Sequence, residues 1–267
     1  MHQLARTAAL LLGTQATHVE SLSGGYMGPV LRVTLADGRR VIAKGGPAPP
    51  AEAEMLRAID AAGAPAPGVL AANDEVLVIE ERPDHGALHA AWAHLGTVLA
   101  KLHSSTSDRY GWQHDYAFGP LAIPNGWHDD WPTFWGEQRL LAHENRLPQD
   151  VARRVHALAT DLPNRLPGTP PASLLHGDMW TGNVLVDRER VSALIDPACY
   201  HGHGEVDLAM LTLFASPSEA FFEAYRPERD WRERHPVYQL WPALVHLLLF
   251  GDGYRPMVER ILRQARA

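Results

Sequence analysis

Residues 176–183 read His-Gly-Asp-Met-Trp-Thr-Gly-Asn, and residues 195–197, Ile-Asp-Pro, follow after two short apolar runs around a polar turn. This pattern predicts a β-hairpin that returns Asp196 to the first stretch. Phosphoryl transfer needs one carboxylate that orients the attacking hydroxyl, and an amide oxygen and a second carboxylate that hold Mg²⁺. The sequence therefore favours a catalytic loop over a polar surface loop. It predicts Asp178 as catalytic base and Asn183 and Asp196 as magnesium ligands.

The composition is that of a globular protein without a nucleic-acid-binding surface. The chain has 267 residues, enough for one large domain or two lobes, and a formal net charge of −7 without a Lys/Arg-rich tract. Its one cysteine, Cys199, excludes an internal disulfide and favours a reducing compartment. The apolar run in residues 1–13 is too short for a signal peptide, and residues 240–250 are too few to span a bilayer. We therefore expect a cytoplasmic protein with neither nucleic acid nor membrane as a partner.

A predicted hairpin near the N-terminus ends in a lysine. Residues 30–35 and 41–44 are apolar runs on either side of Asp37-Gly38, a dipeptide typical of hairpin turns. Arginine replaces lysine almost everywhere in this chain, whose only lysines are Lys44 and Lys101. A compact ammonium at the end of the second strand suggests contact with the α- and β-phosphates of ATP, with an exposed strand-end lysine as the alternative.

Three further groups are candidates for nucleotide binding. Gly24 and Gly25 precede the hairpin and would let the backbone approach phosphate oxygens, although a glycine pair also marks simple turns. Glu52 lies on the inward face of a predicted helix and is the expected ion-pair partner of Lys44. Glu80 ends the last of two further predicted strands, where a hinge could present backbone groups to adenine.

Helical periodicity predicts a first helix within residues 1–13 and dominates the remainder of the chain, where we expect helices at residues 88–103, 138–143, 151–162, 241–250 and 254–262. An aromatic-rich stretch, residues 110–135, could line a carbohydrate pocket or pack helices together, and the sequence leaves both alternatives open. His201 and His203 alternate without a third ligand in view, so no zinc site is predicted. His103 is expected to be structural, and Asp207 to cap a helix or brace the catalytic loop.

The motifs LLHGDMWTGNVLVD (174–187) and LIDPACYHGHGEVDLAM (194–210) resemble the fructosamine kinase family, also called ketosamine-3-kinases. That family belongs to a protein-kinase-like group that includes aminoglycoside phosphotransferases. The resemblance implies an α+β, two-lobed fold: a small antiparallel-sheet lobe at residues 1–83 and a mainly helical lobe at residues 84–267.

The resemblance also implies an activity, which is phosphorylation by MgATP of the 3-hydroxyl of a fructosamine or ribulosamine. The acceptor would be a small ketosamine or a glycated lysine, and phosphorylation would lead to deglycation. Candidates for acceptor contacts are four aromatic or histidine side chains: Trp127, Trp180, Tyr200 and His203.

Three residues depart from the pattern of the family. Tyr26 follows the glycine pair where a polar residue or cysteine is usual, Tyr116 replaces an expected Asn, and Ile123 replaces an expected Gln. The last two are plausible acceptor-side positions. A phosphotransferase of the same fold acting on an aminoglycoside or another small metabolite is therefore the alternative function, and a non-catalytic nucleotide-binding module is a third.

Overall fold

The computed structural model describes residues 2–22 and 28–267, and the N-terminal part of the chain forms an antiparallel sheet. Its strands lie in the order β1-β2-β3-β5-β4, and every neighbouring pair is antiparallel. The elements of this lobe are α1 (Gln3–Leu11), β1 (Ala16–Leu22), β2 (Val30–Leu35), β3 (Arg40–Lys44), α2 (Pro49–Ala61), β4 (Val69–Ala72) and β5 (Leu77–Glu80).

The predicted hairpin is confirmed as β2 and β3, which pair from Val30 opposite Lys44 to Thr34 opposite Arg40. Gly38 has φ +85°, a conformation that glycine adopts without steric cost. The buried residues alternate along both strands, so one face of the sheet packs against α1. This register places Lys44 at the end of β3, directly opposite Val30 at the start of β2.

The C-terminal lobe is mainly helical and begins after β5. The predicted lobe boundary after residue 83 falls in the connection between β5 and the next helical turn. The elements are α3 (Trp92–His103), β6 (Thr106–Ser107), β7 (Tyr116–Phe118), β8 (Leu121–Ile123), α4 (Trp131–Trp135), α5 (Gln149–Thr160), β9 (Ala172–Leu175), β10 (Val184–Asp187), β11 (Arg190–Leu194), β12 (Tyr200–Gly202), α6 (Glu205–Phe214), α7 (Glu219–Tyr225), α8 (Trp231–Phe250) and α9 (Arg255–Gln264). The predicted α+β class is confirmed.

Two helical segments differ from the sequence prediction. α8 begins at Trp231, ten residues before the predicted start at 241, and contains Pro236 and Pro242. Proline removes backbone hydrogen bonds from a helix interior, but most of the second half of α8 is buried, and this packing holds the helix together. The helix predicted at 138–143 is instead a π-helical turn, Gly136–Leu140, that continues α4 and turns Arg139 into the core.

One buried apolar cluster contains residues of both lobes, including residues that flank the catalytic-loop motif. Met55 and Leu56 of α2 belong to the same buried cluster as Leu174, Met179 and Cys199, which flank the catalytic-loop motif. The backbone N–H of Cys199 also lies 3.3 Å from the Met55 sulfur. The helix that carries Glu52 therefore packs directly on the segment that carries Asp178 and Asp196.

Candidate active site

The catalytic loop starts where β9 ends and depends on a glycine. Gly177 has φ +81°, and a Cβ at this position would lie 1.9 Å from the carbonyl oxygen of Ala198. Only glycine permits both the conformation and this close approach. The loop then makes a short 3₁₀ turn, Thr181–Asn183, and enters β10.

A buried aspartate holds the loop backbone in place. The Asp207 carboxylate accepts hydrogen bonds from the backbone N–H groups of His176 (2.7 Å) and Gly177 (3.0 Å), and lies 3.0 Å from His103 Nε2. Burial alone would raise the pKa of Asp207, but the hydrogen bond and charge of His103 and the contacts of His176 lower it overall. The structural roles predicted for Asp207 and His103 are confirmed.

Asp178 and Asn183 lie together at the two ends of the loop. The Asn183 side-chain amide donates to the backbone oxygen of Asp178 at 2.8 Å and to its carboxylate at 3.1 Å. Burial, reinforced by the charges of Asp196 and Asp207, raises the pKa of Asp178 to about 7, although the Asn183 hydrogen bond opposes the shift. A carboxylate that titrates near neutral pH is suited to general-base catalysis.

Lys44 forms ion pairs with both Glu52 and Asp196. The lysine and glutamate side chains are nearly buried, whereas that of Asp196 is 40% exposed. Burial by itself lowers the pKa of Lys44, but the two carboxylates raise it above its usual value, so the ammonium stays charged. The structure thus brings residues from β3, α2 and the segment after β11 into one cluster.

The hairpin of β10 and β11 carries Asp196 to the catalytic loop, as expected. The Ile195 N–H donates to the Asn183 carbonyl at 3.0 Å, and Asp196 has φ +54°, a strained conformation for a residue other than glycine. One Asp196 oxygen pairs with Lys44. The amide nitrogen of Asn183 is bound to Asp178, which leaves its oxygen as an acceptor. Carboxylate and amide oxygens of this kind suit a hard cation such as Mg²⁺.

The two remaining nucleotide-binding predictions concern Gly24 with Gly25, and Glu80. Gly24 and Gly25 lie outside the described residues. Glu80 ends β5, but its carboxylate accepts a hydrogen bond from the Gly68 N–H at 3.2 Å and lies 3.8 Å from Arg82, so it is engaged within the rim of the sheet. A contact between Glu80 and nucleotide remains a prediction about its backbone.

The four acceptor candidates divide into two exposed and two buried side chains. Trp180 is 41% exposed and its ring covers Gly182, where a Cβ would lie 2.3 Å from the ring. Trp127 is 39% exposed and stacks on His201 with a ring separation of 6.3 Å. Both tryptophans can therefore contact a molecule in solution.

Tyr200 and His203 are buried in the helical lobe, with 3% and 4% of their surface exposed, and their contact with the acceptor remains a prediction. The Tyr200 ring lies 4.0 Å from the Arg139 guanidinium carbon, and His203 Nδ1 lies 2.8 Å from the Tyr238 hydroxyl. Side chains alternate along β12, so Tyr200 points inward while the His201 ring stacks on Trp112 and Trp127. The motif alone did not reveal this alternation.

The structure also supplies partners for His203 that the sequence did not reveal. Oxygens of Glu205 and Glu228 each lie 3.8 Å from His203 Nε2. Arg234 already pairs with both carboxylates, for example at 2.9 Å from Glu228, and burial lowers the pKa of His203 to about 3. The Arg234 guanidinium therefore already neutralises the carboxylates of Glu205 and Glu228.

Sequence reasoning missed the role of Arg139 and the surroundings of Tyr116. Arg139 is fully buried and holds the segment that precedes α4. Burial, and then the charges of Glu52, Asp196 and Asp178, raises the pKa of Tyr116. Tyr116 was marked in the sequence only as a departure from a family pattern. Neither residue has a local sequence signal that indicates these contacts.

A small antiparallel sheet with a buried lysine–glutamate pair, packed on a helical lobe that carries the catalytic-loop motif and Asp196, is the architecture of the protein-kinase-like fold. Residues 14–267 match the model of the fructosamine kinase family. The chain belongs to the fructosamine kinase family, which confirms the resemblance seen in its motifs. Within the described residues, no helix is long and apolar enough to cross a membrane.

Curated proteins with similar sequences are named as ketoamine or ribulosamine kinases. The chain is 39% identical over 181 residues to "Probable ketoamine kinase" of Lactiplantibacillus plantarum, covering 64% of this chain and 65% of that protein. It is 32% identical over 197 residues to the chloroplastic protein-ribulosamine 3-kinase of Arabidopsis thaliana, covering 69% of this chain and 60% of that protein. The matched segment thus spans less than two thirds of the length of each of these two curated relatives.

Solved structures give the same grouping. A Thermobifida fusca YX-ER1 protein, provisionally described as a fructosamine-3-kinase, superposes with a TM-score of 0.91 at 32% identity over 99% of both chains. The macrolide 2′-phosphotransferase MphH of Brachybacterium faecium has a TM-score of 0.64 at 18% identity over 96% of this chain and 97% of that one. At this identity the second likeness concerns the fold alone.

Proposed function

We propose that the protein phosphorylates the 3-hydroxyl of a ketosamine, a fructosamine or ribulosamine, at the expense of ATP. The observation that carries the proposal is the cluster of Lys44, Asp178, Asn183 and Asp196 in a chain that matches the fructosamine kinase family over residues 14–267. A binding module without catalysis has no need for all four groups. The similarity to the plant ribulosamine 3-kinase supports the choice of acceptor.

The four groups have complementary roles in the proposed reaction. Asp178 accepts the proton of the acceptor hydroxyl while the hydroxyl oxygen forms a bond to the γ-phosphorus of ATP. The bond between this phosphorus and the bridging oxygen breaks, and ADP departs with the electron pair. Lys44, held by Glu52, contacts the α- and β-phosphates. Mg²⁺, held by Asn183 and Asp196, supplies neutralisation of phosphate charge when bound.

The lobes in this proposal are residues 1–83 and 84–267, with nucleotide between them. The acceptor enters beside the catalytic loop, where the exposed ring of Trp180 can pack on a sugar. It is either a free ketosamine or a glycated lysine of another protein. A net charge of −7 suits the amine of either form.

A coupled ATP-consumption assay tests the proposal. The panel contains a fructosyl-lysine analogue, a ribulosyl-lysine analogue, a simple sugar and an aminoglycoside, each with MgATP. We expect turnover with the ketosamines alone. A ³¹P–¹H correlation spectrum of the product should show the new phosphate on the oxygen of the third carbon. Turnover confined to the aminoglycoside would replace this function with the alternative of the same fold.

A further inference from the structure

A cavity of about 420 Å³ lies between the end of α2, the middle of α3 and the start of β11. The charged and titratable side chains that line it are Asp60, His94, Lys101 and Arg190. A cavity of this volume is within the range of small-molecule sites, about 300–1,000 Å³. Its wall therefore combines two cations and an imidazole with one carboxylate, in a protein whose formal net charge is −7.

The cavity is separate from the proposed catalytic cluster. Glu52 lies in the first turn of α2 and Asp60 in its last turn, a separation of about 12 Å along the helix axis. β11 runs about 13 Å from Arg190 at the cavity to Leu194, and Asp196 follows beyond that end. A ligand in this cavity would therefore lie apart from both the nucleotide and the acceptor.

Two contacts hold the wall of the cavity in place. The Val191 N–H of β11 donates to His94 Nδ1 of α3 at 3.0 Å. Gly63 follows α2 with φ +80°, and a Cβ at this position would lie 2.8 Å from Cε of Lys101. The stem of Lys101 thus crosses the backbone just after α2, which brings the ammonium to the cavity. All three elements of the wall are therefore in contact before a ligand binds.

Within the described part of the chain, neither cation of the cavity has an acidic partner. No described carboxylate forms an ion pair with Lys101 or Arg190, although Asp60 lines the same cavity. Lys101 is also the only lysine of the chain apart from Lys44, so a compact ammonium is kept here in a protein that otherwise uses arginine. Both positive charges therefore remain available to an anion from solution.

His94 adds a neutral hydrogen-bond donor to the wall. Because its Nδ1 accepts from the Val191 N–H, the proton of the neutral ring is on Nε2. Burial, and then the charge of Arg190, lowers the pKa of His94, so the ring is neutral at pH 7. The cavity thus offers an ammonium, a guanidinium and an imidazole N–H as donors, and the Asp60 carboxylate as an acceptor.

These donors match a phosphate group, and the carboxylate matches hydroxyl groups. A guanidinium can bind two phosphate oxygens at once, and an ammonium binds phosphate as a point charge. A bare anion would face the like charge of Asp60, whereas the hydroxyl groups of a larger ligand would donate to that carboxylate. We propose that the cavity binds a small phosphomonoester of a polyhydroxy compound, with its phosphate on Lys101 and Arg190 and a hydroxyl on Asp60.

Calorimetry tests the proposal, with glucose 6-phosphate as the probe and the nucleotide site filled by a non-hydrolysable MgATP analogue. We expect saturable binding of this ester to the wild type and no binding of glucose. Lys101→Met and Arg190→Met each remove one exposed charge, and each should weaken binding about three- to tenfold. The matched control is Arg57→Met, at an exposed position of α2 that does not line the cavity, which should leave the affinity unchanged.

Three results would overturn the proposal. The first is no binding of glucose 6-phosphate to the wild type. The second is equal affinity in the wild type, Lys101→Met and Arg190→Met, which would place the ester elsewhere in the molecule. The third is equal affinity for inorganic phosphate, since the hydroxyl groups and Asp60 would then play no part. Failure of the proposed function is a separate result, because the wild type would then turn over no ketosamine while these binding measurements keep their meaning.

Discussion

The catalytic loop and the β7–β8 hairpin are each held by one buried charged side chain, but the two charges are opposite. The Asp207 carboxylate accepts hydrogen bonds from two backbone N–H groups of the loop, and the His103 ring lies within hydrogen-bonding distance of it. Arg139 donates to Pro124 and Asn125 at the hairpin base and has aromatic rings in place of an ionic partner. A segment whose N–H groups must be fixed takes a carboxylate, and one whose carbonyl groups must be fixed takes a guanidinium.

The difference suggests a division of labour between the two segments. The loop presents Asp178 and Asn183, which are proposed to carry out phosphoryl transfer, whereas the hairpin carries Tyr116 and Ile123, which the family resemblance suggests are acceptor-side positions. Substitutions that disturb the catalytic loop should lower kcat, and substitutions that disturb the β7–β8 hairpin should raise the KM for the acceptor. The following predictions separate these effects.

The largest effect is expected for Asp178→Asn. Loss of the general base should reduce kcat by about 100- to 10,000-fold, while MgATP binding measured by calorimetry stays close to that of wild type. The matched control is Asp187→Asn at the end of β10, where the aspartate side chain is 41% exposed. Full activity of Asp178→Asn would show that another group takes the proton.

A large loss of stability is expected for Asp207→Ala. The substitution leaves two buried N–H groups and His103 without their acceptor, and breaking such a buried arrangement costs about 3–5 kcal/mol. Denaturant unfolding measures the free energy, with Asp150→Ala on the exposed start of α5 as the control. The residual folded enzyme should have reduced kcat; normal kcat would mean that the loop keeps its geometry without this brace.

A smaller loss is expected for Arg139→Met. Methionine fills the space but leaves the Pro124 and Asn125 oxygens unpaired, which costs about 2–4 kcal/mol. The folded variant should show a raised KM for the acceptor and a nearly normal KM for ATP, in contrast to Asp207→Ala. The exposed Arg146→Met is the control. A fall in kcat alone would contradict the proposed division between loop and hairpin.

The pH profile gives the mildest test, because no residue is changed. Burial raises the pKa of Asp178 to about 7, so kcat/KM should rise with pH through about 7 as the base loses its proton, and level off above it. The native state also holds this proton more tightly than the unfolded chain, so the contribution of Asp178 to stability declines as pH rises through the same value. A profile without a limb near neutrality would argue against this base.

Much of the architecture could be predicted because its signals are local. The dipeptide Asp37-Gly38 gives the turn of the first hairpin, and helical spacing gives α1, α2 and α3. Start positions were less certain, as in α8, where proline indicates a break but burial sustains the helix. The short strands β7 and β8 have no comparable signal, since each has three residues and pairs only with the other.

The sequence by itself determined which groups are candidates for phosphoryl transfer, because Asp178, Asn183 and Asp196 occur at spacings set by one loop and one hairpin. It also indicated Lys44 and Glu52, whose ion pair could be expected from the order of strand and helix. The tertiary structure alone decided that Tyr200 and His203 are buried and that Asp207 and Arg139 hold the two segments. These facts depend on contacts between residues distant in the chain and on which face of a short strand points inward. Neither leaves a periodic pattern in the sequence.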